Sequence, residues 1–307
     1  MTASVLSKPL KGIIPPLLTP LSGRDTLDVT GLTRLIEHVL AGGVHGLFIL
    51  GTTGEAQSLS YRLRREMIDR VCEQVNKRVP VLVGVTDTSF VESVEMAAYA
   101  ASQNADGVVL APPYYLPAGQ PELVEYIEHI VPELALPVYL YNMPSLTKVQ
   151  LELETLMQVS HLKGIAGVKD SSGDPAYAEK VIELIKQVPH WTLLVGPEHL
   201  TSTVVQLGGH GGINGGANVW PELFVDMYHA SLQGDIEKIE LLQKKIEAFG
   251  ALYTIGHHSS AIIKGLKCAL SCLGICDDFM AEPFHRFHAP ERSQVESILR
   301  KLSLLPK

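Results

Sequence analysis

The chain has 307 residues, of which 46% are hydrophobic and 19% charged, and its 25 basic against 33 acidic side chains give a net charge of −8. This length can bury one large α/β core or two average ones. The acidic balance without basic runs argues against nucleic acid as a partner, and no stretch is apolar for long enough to span a membrane. Residues 1–10 lack the features of a secretory signal and four cysteines make no disulfide framework, so we expect a soluble cytoplasmic protein.

Eight short apolar runs recur along the chain, and amphipathic segments separate them. The runs span residues 12–18, 46–50, 79–85, 107–110, 136–141, 164–168, 192–195 and 211–213. Apolar strands that alternate with helical patterns indicate a parallel sheet covered on both faces. Eight such units in about 220–230 residues match a closed (β/α)8 TIM barrel. An open doubly wound sheet is the alternative, but the chain has neither a GxGxxG turn after its first strand nor a GxxxxGK[S/T] loop.

Beyond Trp220 the sequence carries only helical patterns, over residues 221–233, 235–249, 259–273 and 289–302. Gly234 and Asp235 are typical of the end of one helix and the N-cap of the next. Because no linker rich in proline or serine precedes these helices, we predict a barrel over residues 1–230 and a C-terminal helical extension over 231–307, packed on it. Cysteines at 268, 272 and 276 would share one helix face, and we interpret them as buried apolar side chains, not metal ligands.

Polar side chains gather at the carboxyl ends of the predicted strands, where barrels of this kind carry their chemistry. The opposite ends carry mostly glycine, valine and alanine, so the polar end predicts a catalytic site. In chain order, the strand ends read Thr19, GTTGE at 51–55, TDT at 86–88, PPYY at 112–115, YNMP at 141–144, KD at 169–170, GPE at 196–198 and NGG at 214–216.

Lys169 ends an apolar strand, where an unpaired ammonium would be costly to bury. Burial lowers the pKa of a lysine and frees its amine to attack a carbonyl carbon and form a Schiff base. Tyr141 ends the preceding strand, so its phenol can lie beside Lys169 and relay protons while the carbinolamine dehydrates. Each residue alone also has a structural interpretation: Lys169 could extend to solvent, and Tyr141 could be an ordinary core tyrosine. The convergence of polar residues at the strand ends favours the catalytic interpretation of both.

Two glycine-rich segments offer backbone N–H groups to an anion. In the turn 51–55, Thr52 and Thr53 add hydroxyls, which suits the carboxylate of a 2-oxo acid, although a tight turn with an N-cap has the same composition. The run 208–216 could hold a phosphate, as loops after the last barrel strands often do. It contains no lysine or arginine, and we interpret it as a crowded strand that needs small residues.

These motifs, in this order, resemble the dihydrodipicolinate synthase/N-acetylneuraminate lyase superfamily. The match rests on GTTGE at 51–55, PPYY at 112–115, YNMP at 141–144, GVKD at 167–170 and GGHGGI at 208–213, and it covers the chain from about residue 12 to 218. The resemblance implies a (β/α)8 barrel with a C-terminal helical region, a homotetramer, and class I Schiff-base chemistry on pyruvate or another 2-oxo acid. It also implies that no metal or organic cofactor is needed.

Carried over position by position, the resemblance assigns roles to the strand-end residues. Lys169 would form the imine and Tyr141 would relay protons. The turn with Gly51, Thr52 and Thr53 would bind the substrate carboxylate, and Thr53 would also join the proton relay.

Two further residues follow from the resemblance. Tyr115 matches a tyrosine that reaches the site of a neighbouring subunit and completes a hydroxyl chain with Thr53 and Tyr141. Ile213 matches a residue whose backbone carbonyl faces the site.

The sequence departs from both specialised patterns of the superfamily. After YNxP, dihydrodipicolinate synthases have an arginine that holds a carboxylate of the aldehyde substrate, and Leu146 cannot do so. Leucine here is similar to the N-acetylneuraminate lyases. Their acidic pair after the seventh strand is represented only by Glu198-His199, however, and Gly216 stands where they tend to have serine.

We therefore expect a lyase or aldolase that cleaves or forms a carbon–carbon bond of a 2-oxo sugar acid, N-acetylneuraminate lyase-like or 2-keto-3-deoxy sugar acid aldolase-like. Ser145 and Glu198 would contact the variable part of the substrate. Dihydrodipicolinate synthase, with Lys148 replacing the arginine, is one alternative, and a dehydratase or deaminase with the same imine chemistry is another. A barrel that only binds its ligand is the third, and the complete set of lysine, tyrosine and threonines argues against it.

Overall fold

In the computed structural model, which describes residues 9–306, ten short strands alternate with twelve α-helices. The strands are β1 (Gly12–Ile13), β2 (Leu21–Gly23), β3 (Thr26–Leu27), β4 (Leu47–Ile49), β5 (Val81–Gly84), β6 (Gly107–Leu110), β7 (Val138–Asn142), β8 (Ile165–Asp170), β9 (Thr192–Val195) and β10 (Gly211–Gly212). The helices are α1 (Val29–Ala41), α2 (Tyr61–Val75), α3 (Phe90–Ser102), α4 (Gln120–Ile130), α5 (Pro144–Thr147), α6 (Leu153–Val159), α7 (Pro175–Gln187), α8 (Thr201–Gln206), α9 (Pro221–Gln233), α10 (Ile236–Gly250), α11 (Ala261–Cys272) and α12 (Ala289–Lys301).

Eight of the strands form one parallel sheet in the order β1-β10-β9-β8-β7-β6-β5-β4. The segment after β1 bridges β4 between Pro16 and Phe48, where Phe48 N donates to Pro15 O at 3.0 Å and Leu17 N donates to Phe48 O at 2.7 Å. The sheet therefore curls onto itself, which is consistent with the predicted (β/α)8 barrel. The first predicted strand, residues 12–18, is regular only in β1, because Pro15 and Pro16 have no N–H to donate.

Five of the helices, α1, α2, α3, α7 and α10, follow a residue whose side chain accepts one of the first free backbone N–H groups. Asp28 caps α1 by accepting from Gly31 N at 2.8 Å, and Ser60 caps α2 by accepting from Leu63 N at 3.2 Å. The longer helices bury an apolar face against the sheet or a neighbouring helix. No helix within residues 9–306 is both long enough and apolar enough to cross a membrane.

A small antiparallel hairpin of β2 and β3 precedes α1, and the apolar pattern does not predict it, because strands of two and three residues are too short to show alternation. Its turn is held at Asp25, whose Oδ1 accepts from Ser60 Oγ at 2.7 Å and whose Oδ2 accepts from Arg62 Nη2 at 3.0 Å. The hairpin is thereby attached to the start of α2.

The helices α9 to α12 follow the predicted C-terminal spans closely. Gly234 ends α9 with φ 66°, and Asp235 Oδ1 accepts from Lys238 N at 3.1 Å, which is the predicted junction. The predicted cysteine stack is wrong in one respect: α11 ends at Cys272, and the buried Cys276 lies beyond it. Apolar side chains of this region join the layer between sheet and helices without a break, among them Phe249, Leu252 and Leu266.

Candidate active site

Lys169 and Tyr141 lie opposite each other on β8 and β7, and a β-bulge produces this pairing. Val138 pairs with Ile165, but the next residue along β7 pairs with Gly167, so β8 holds one extra residue. Because side chains alternate between the two faces of a strand, a shift of one residue reverses every side chain beyond it. Ile165 faces outwards, and with regular alternation Lys169, four residues later, would also face outwards. Because of the bulge, the side chain of Lys169 points into the barrel instead.

Lys169 is almost fully buried, with 3% of its surface exposed. Its Nζ lies 3.7 Å from the ring centroid of Tyr141 and 4.8 Å from that of Phe48. Burial lowers the pKa of Lys169 because the charged form loses its hydration, and the neighbouring Tyr141 and Asp170 oppose this effect without cancelling it. This shift increases the fraction of the neutral amine, which is the nucleophilic form.

Tyr141 is itself 6% exposed. Burial would raise the pKa of its phenol, but the charge of Lys169 and polar contacts with the side chains of Thr52 and Ser171 outweigh burial and lower that pKa. The pKa values of the phenol and of the amine both lie below their usual ones, and the two side chains are in contact, so a proton can move directly between them.

The turn 51–55 lies against the same aromatic ring as the lysine. Gly51 packs so closely on Phe48 that a Cβ at this position would lie 2.5 Å from a ring carbon. A hydrogen bond of 3.0 Å from Glu55 N to Thr52 O closes the turn. The side chains of Thr52 and Thr53 remain partly exposed, so their hydroxyls can meet a small ligand beside Lys169.

Asp170, which directly follows Lys169, is a buried carboxyl with no role predicted from the sequence. Asn142 Nδ2 donates to its Oδ1 at 2.8 Å, Ser172 N donates to the same oxygen at 3.1 Å, and Ser172 Oγ donates to Oδ2 at 3.0 Å. Burial raises the pKa of Asp170 in spite of these hydrogen bonds. The network joins the carboxyl ends of β7 and β8 and so fixes Lys169 relative to Tyr141.

Glu198 lies after β9, in the short 3₁₀ turn Glu198–Leu200. Its Oε1 accepts from Gly216 N at 2.6 Å and from the hydroxyl of Tyr253 at 2.8 Å. Enclosure raises the pKa of Glu198 to about 7, with both hydrogen bonds acting in the opposite direction. Glu198 is predicted from the sequence, whereas Tyr253 is not, because it comes from the C-terminal helical region 55 residues away.

The segment that follows β7 carries the expected contacts to the variable part of a substrate. Ser145 is exposed, and its Oγ donates weakly to Met143 Sδ at 3.8 Å. Leu146 is 42% exposed. Lys148 Nζ donates to Ser145 O at 2.8 Å, so this cation is bound to its own turn.

Ile213 and Tyr115 occupy opposite environments. Ile213 is 2% exposed, belongs to the apolar cluster inside the barrel with Tyr141 and Phe48, and donates its N–H to Val195 O at 2.8 Å. Tyr115 is 94% exposed and has φ 81°, an uncommon conformation for a tyrosine. The fold therefore brings the other candidates to one end of the barrel and leaves Tyr115 outside the site of its own chain.

Metal ligands were not expected from the sequence. Within the described range 9–306, no three side chains of histidine, cysteine, aspartate or glutamate are placed to hold a metal ion together. Independence from cofactors stays a prediction.

A curled sheet of eight parallel strands, with a buried lysine, a phenol and hydroxyls at their carboxyl ends, has the architecture of an enzyme site. The sequence matches the family model described as the Dihydrodipicolinate synthetase family over residues 9–302, and the chain belongs to this family. It is accordingly an enzyme of the lyase type that its relatives, named as synthases and aldolases, represent.

The similar proteins include both synthases and sugar-acid aldolases. A structure of dihydrodipicolinate synthase from Bacteroides thetaiotaomicron is 52% identical with a TM-score of 0.94, and the match covers 96% of this chain and 100% of that one. The structure of YagE from Escherichia coli K12 in complex with pyruvate is 29% identical with a TM-score of 0.91, covering 96% and 99%. The probable 2-dehydro-3-deoxy-D-pentonate aldolase YjhH of Escherichia coli K12 is 31% identical over 303 residues, covering 97% and 99%.

Proposed function

We propose that the protein is a Schiff-base lyase that holds pyruvate as an imine on Lys169 and cleaves or forms a carbon–carbon bond of a 2-oxo sugar acid. The activity would resemble that of a 2-keto-3-deoxy sugar acid aldolase or an N-acetylneuraminate lyase. The observation that carries the proposal is the buried amine of Lys169, 3.7 Å from the ring centroid of Tyr141. The mechanism uses no metal or organic cofactor, because the protonated imine is itself the electron sink.

The reaction begins when the neutral amine of Lys169 attacks the C2 carbonyl of the substrate. The carbon–nitrogen bond forms, the carbonyl oxygen takes a proton, and the resulting hydroxyl leaves as water with a proton supplied by Tyr141. In the cleavage direction the protonated imine accepts the electron pair of the C3–C4 bond. The C4 hydroxyl gives its proton to the phenolate of Tyr141, and the fragment that carries C4 departs as an aldehyde. The enamine then takes a proton at C3, and hydrolysis of the imine releases pyruvate.

The substrate carboxylate would bind at the turn with Gly51, Thr52 and Thr53. Its backbone N–H groups and two hydroxyls can donate to carboxylate oxygens. The contact of Thr52 with the phenol of Tyr141 supports a position of this turn beside the imine. Ile213, buried in the same apolar cluster as Tyr141, would close the site with its backbone carbonyl.

The part of the substrate beyond the imine would be hydroxylated and uncharged. Ser145 and Glu198 would be its partners, because a hydroxyl and a carboxyl both hydrogen-bond to sugar hydroxyls. With a pKa of about 7, Glu198 carries a partial negative charge at neutral pH, which would repel a second carboxylate. Leu146 offers no donor, and Lys148 is engaged with the carbonyl of Ser145.

Tyr115 would complete the site of a neighbouring subunit in a homotetramer, which we expect to act in the cytoplasm. Its 94% exposure and φ of 81° support a role outside its own chain, since a strained backbone persists only where surrounding groups hold it.

Dihydrodipicolinate synthase is the second candidate, and 52% identity to a structure of that name favours it. That activity would require a cation for the carboxylate of aspartate semialdehyde, and Lys148 would have to leave Ser145 to supply it. A dehydratase with the same imine is recognised by its product, which retains all the substrate carbons.

Borohydride trapping with pyruvate, followed by peptide mass spectrometry, tests the imine. We expect a pyruvate-sized adduct on Lys169 and none in a Lys169→Met variant, while a Lys186→Met control at an exposed lysine traps normally. Pyruvate release from 2-keto-3-deoxy sugar acids is then compared with condensation of pyruvate and aspartate semialdehyde. Absence of the adduct contradicts the imine, and a fast condensation without sugar-acid cleavage replaces the aldolase by the synthase.

A further inference from the structure

A fully buried ion pair connects the turn 51–55 to the C-terminal helical region. Glu55, the last residue of the turn, pairs through Oε2 with Lys267 Nζ on α11, and both side chains are only 1% exposed. Neither residue has a role that is predicted from the sequence. Their pairing joins parts of the chain that lie more than 200 residues apart.

The segment after α11 braces both members of the pair. Lys267 Nζ also donates to Phe279 O at 2.7 Å, and Glu55 Oε1 accepts from Ala281 N at 2.9 Å. A buried ion pair is often no more stabilising than well-packed apolar side chains of similar volume, because both charges lose their hydration. Here the pair fixes the position and orientation of the Glu55 carboxylate.

That carboxylate belongs to a residue whose backbone shapes the turn. Glu55 has φ 56°, a left-handed conformation that few residues other than glycine adopt. Its N–H donates to Thr52 O at 3.0 Å, and the preceding Gly54 carbonyl accepts from Thr19 Oγ1 at 2.7 Å. Freeing the Glu55 side chain would remove the contact that holds this backbone, and the hydroxyls of Thr52 and Thr53 would lose their fixed position.

We propose that Lys267 is a positioning residue that acts through Glu55 on the carboxylate-binding turn, so that the C-terminal helical region is part of the active site. The inference rests on the proposed function, since it assumes that the turn binds the carboxylate of a 2-oxo acid. The hydrogen bond from Tyr253 to Glu198 is a second contact from the C-terminal helical region to a carboxyl at a strand end. Glu55 and Glu198, two of the carboxyls at the strand ends, are thus held from the C-terminal region.

The test compares Lys267→Met, Glu55→Gln and the double variant in borohydride trapping of pyruvate on Lys169. Each single variant leaves one buried charge without its partner and is expected to melt at a lower temperature. The double variant contains no unpaired charge and should recover much of the melting temperature. We expect its half-saturating pyruvate concentration to stay at least about tenfold above the wild-type value, with the trapping rate at saturation little changed.

Lys186→Met serves as the control, because Lys186 forms an exposed ion pair with Glu183 and should leave trapping unchanged. A double variant with wild-type half-saturation would show that the pair is only structural and overturn the inference. Failure of the wild-type protein to trap pyruvate would instead overturn the proposed function, so the two failures are distinct.

The coupling between the turn and the C-terminal region can also be tested on the wild-type protein, without relying on the folding of variants. Hydrogen–deuterium exchange with and without pyruvate should show slower exchange both in residues 51–56 and in residues 265–281. Protection confined to 51–56 would contradict the coupling between the turn and the C-terminal region.

Discussion

Lys169 faces Tyr141 only because β8 contains one residue more than β7 over the same length. The extra residue lies next to Gly167, whose φ is 157° and where a Cβ would be 2.2 Å from the carbonyl oxygen of Thr192. A side chain at Gly167 would therefore displace the strand at the point that sets the orientation of the lysine.

Gly167→Ala should lower the free energy of unfolding by about 2 kcal/mol or more and strongly reduce borohydride trapping on Lys169. Urea denaturation and trapping with pyruvate measure the two effects. Gly250→Ala is the matched control, because its added Cβ meets nothing within 4 Å and it lies at the end of α10. Equal stability of both variants would show that the bulge tolerates a side chain.

Lys169→Met should abolish trapping and raise the free energy of unfolding at pH 7 by about 1 kcal/mol. Burial lowers the pKa of Lys169 in the folded protein, so the unfolded chain binds more protons. The wild-type protein therefore gains stability as the pH rises from the folded pKa towards that of a free lysine, and the advantage of the variant should shrink at pH 10. Denaturation at the two pH values checks this, and a variant less stable than wild type at pH 7 contradicts it.

Tyr141→Phe should reduce the rate of imine formation by about 10² or more while leaving pyruvate binding within a few-fold. The phenol also opposes the lowering of the Lys169 pKa, so its removal should move the pH profile of trapping to lower pH. Rapid-quench trapping across pH measures the rate and the profile together. An unchanged rate would exclude Tyr141 as the proton donor.

Glu198→Gln should leave the binding of the pyruvate part of the substrate unchanged and weaken the recognition of the variable part. The amide oxygen can still accept from Gly216 and Tyr253, so trapping of pyruvate should match the wild type while kcat/KM for sugar-acid cleavage falls by about tenfold. Glu183→Gln, at an exposed carboxyl, is the control. Equal kcat/KM for wild type and variant on every accepted sugar acid would remove Glu198 from the substrate site.

The same variant tests the pKa of Glu198, which is about 7 in the folded protein. Because this value is raised, the folded state binds more protons than the unfolded state, and the wild-type protein loses stability as the pH rises from about 4.5 to 7. Glu198→Gln removes this loss. The variant and the wild type should be equally stable near pH 4, and the variant should be more stable by about 3 kcal/mol at pH 8.

Mixing two inactive variants tests whether Tyr115 acts in a neighbouring subunit. Co-expressed Lys169→Met and Tyr115→Phe chains should regain part of the wild-type activity, because some sites then combine an intact lysine with an intact tyrosine from another chain. Co-expressed Lys169→Met and Tyr141→Phe chains should not, since these residues share one chain. Activity of purified mixed oligomers decides between the cases.

The barrel and the catalytic candidates could be predicted because their signals are local. Apolar runs mark the strands, and the polar residues directly after them mark the site. The bulge at Gly167 left no such signal, because a single extra residue does not change the apolar pattern. The partners of Glu55 and Glu198 could not be predicted either, since Lys267 and Tyr253 reach them through tertiary contacts that no short-range periodicity encodes.

The closure of the sheet also has a consequence during synthesis of the chain. β1 pairs with β10, and nearby Leu18 N donates to Asn218 Oδ1 across 200 residues. At the usual rates of translation, β10 is therefore synthesised about 10 to 40 seconds after β1. For that time the growing sheet has an open edge that can pair with other chains. The nascent protein should depend on chaperones most strongly just before residue 218 leaves the ribosome.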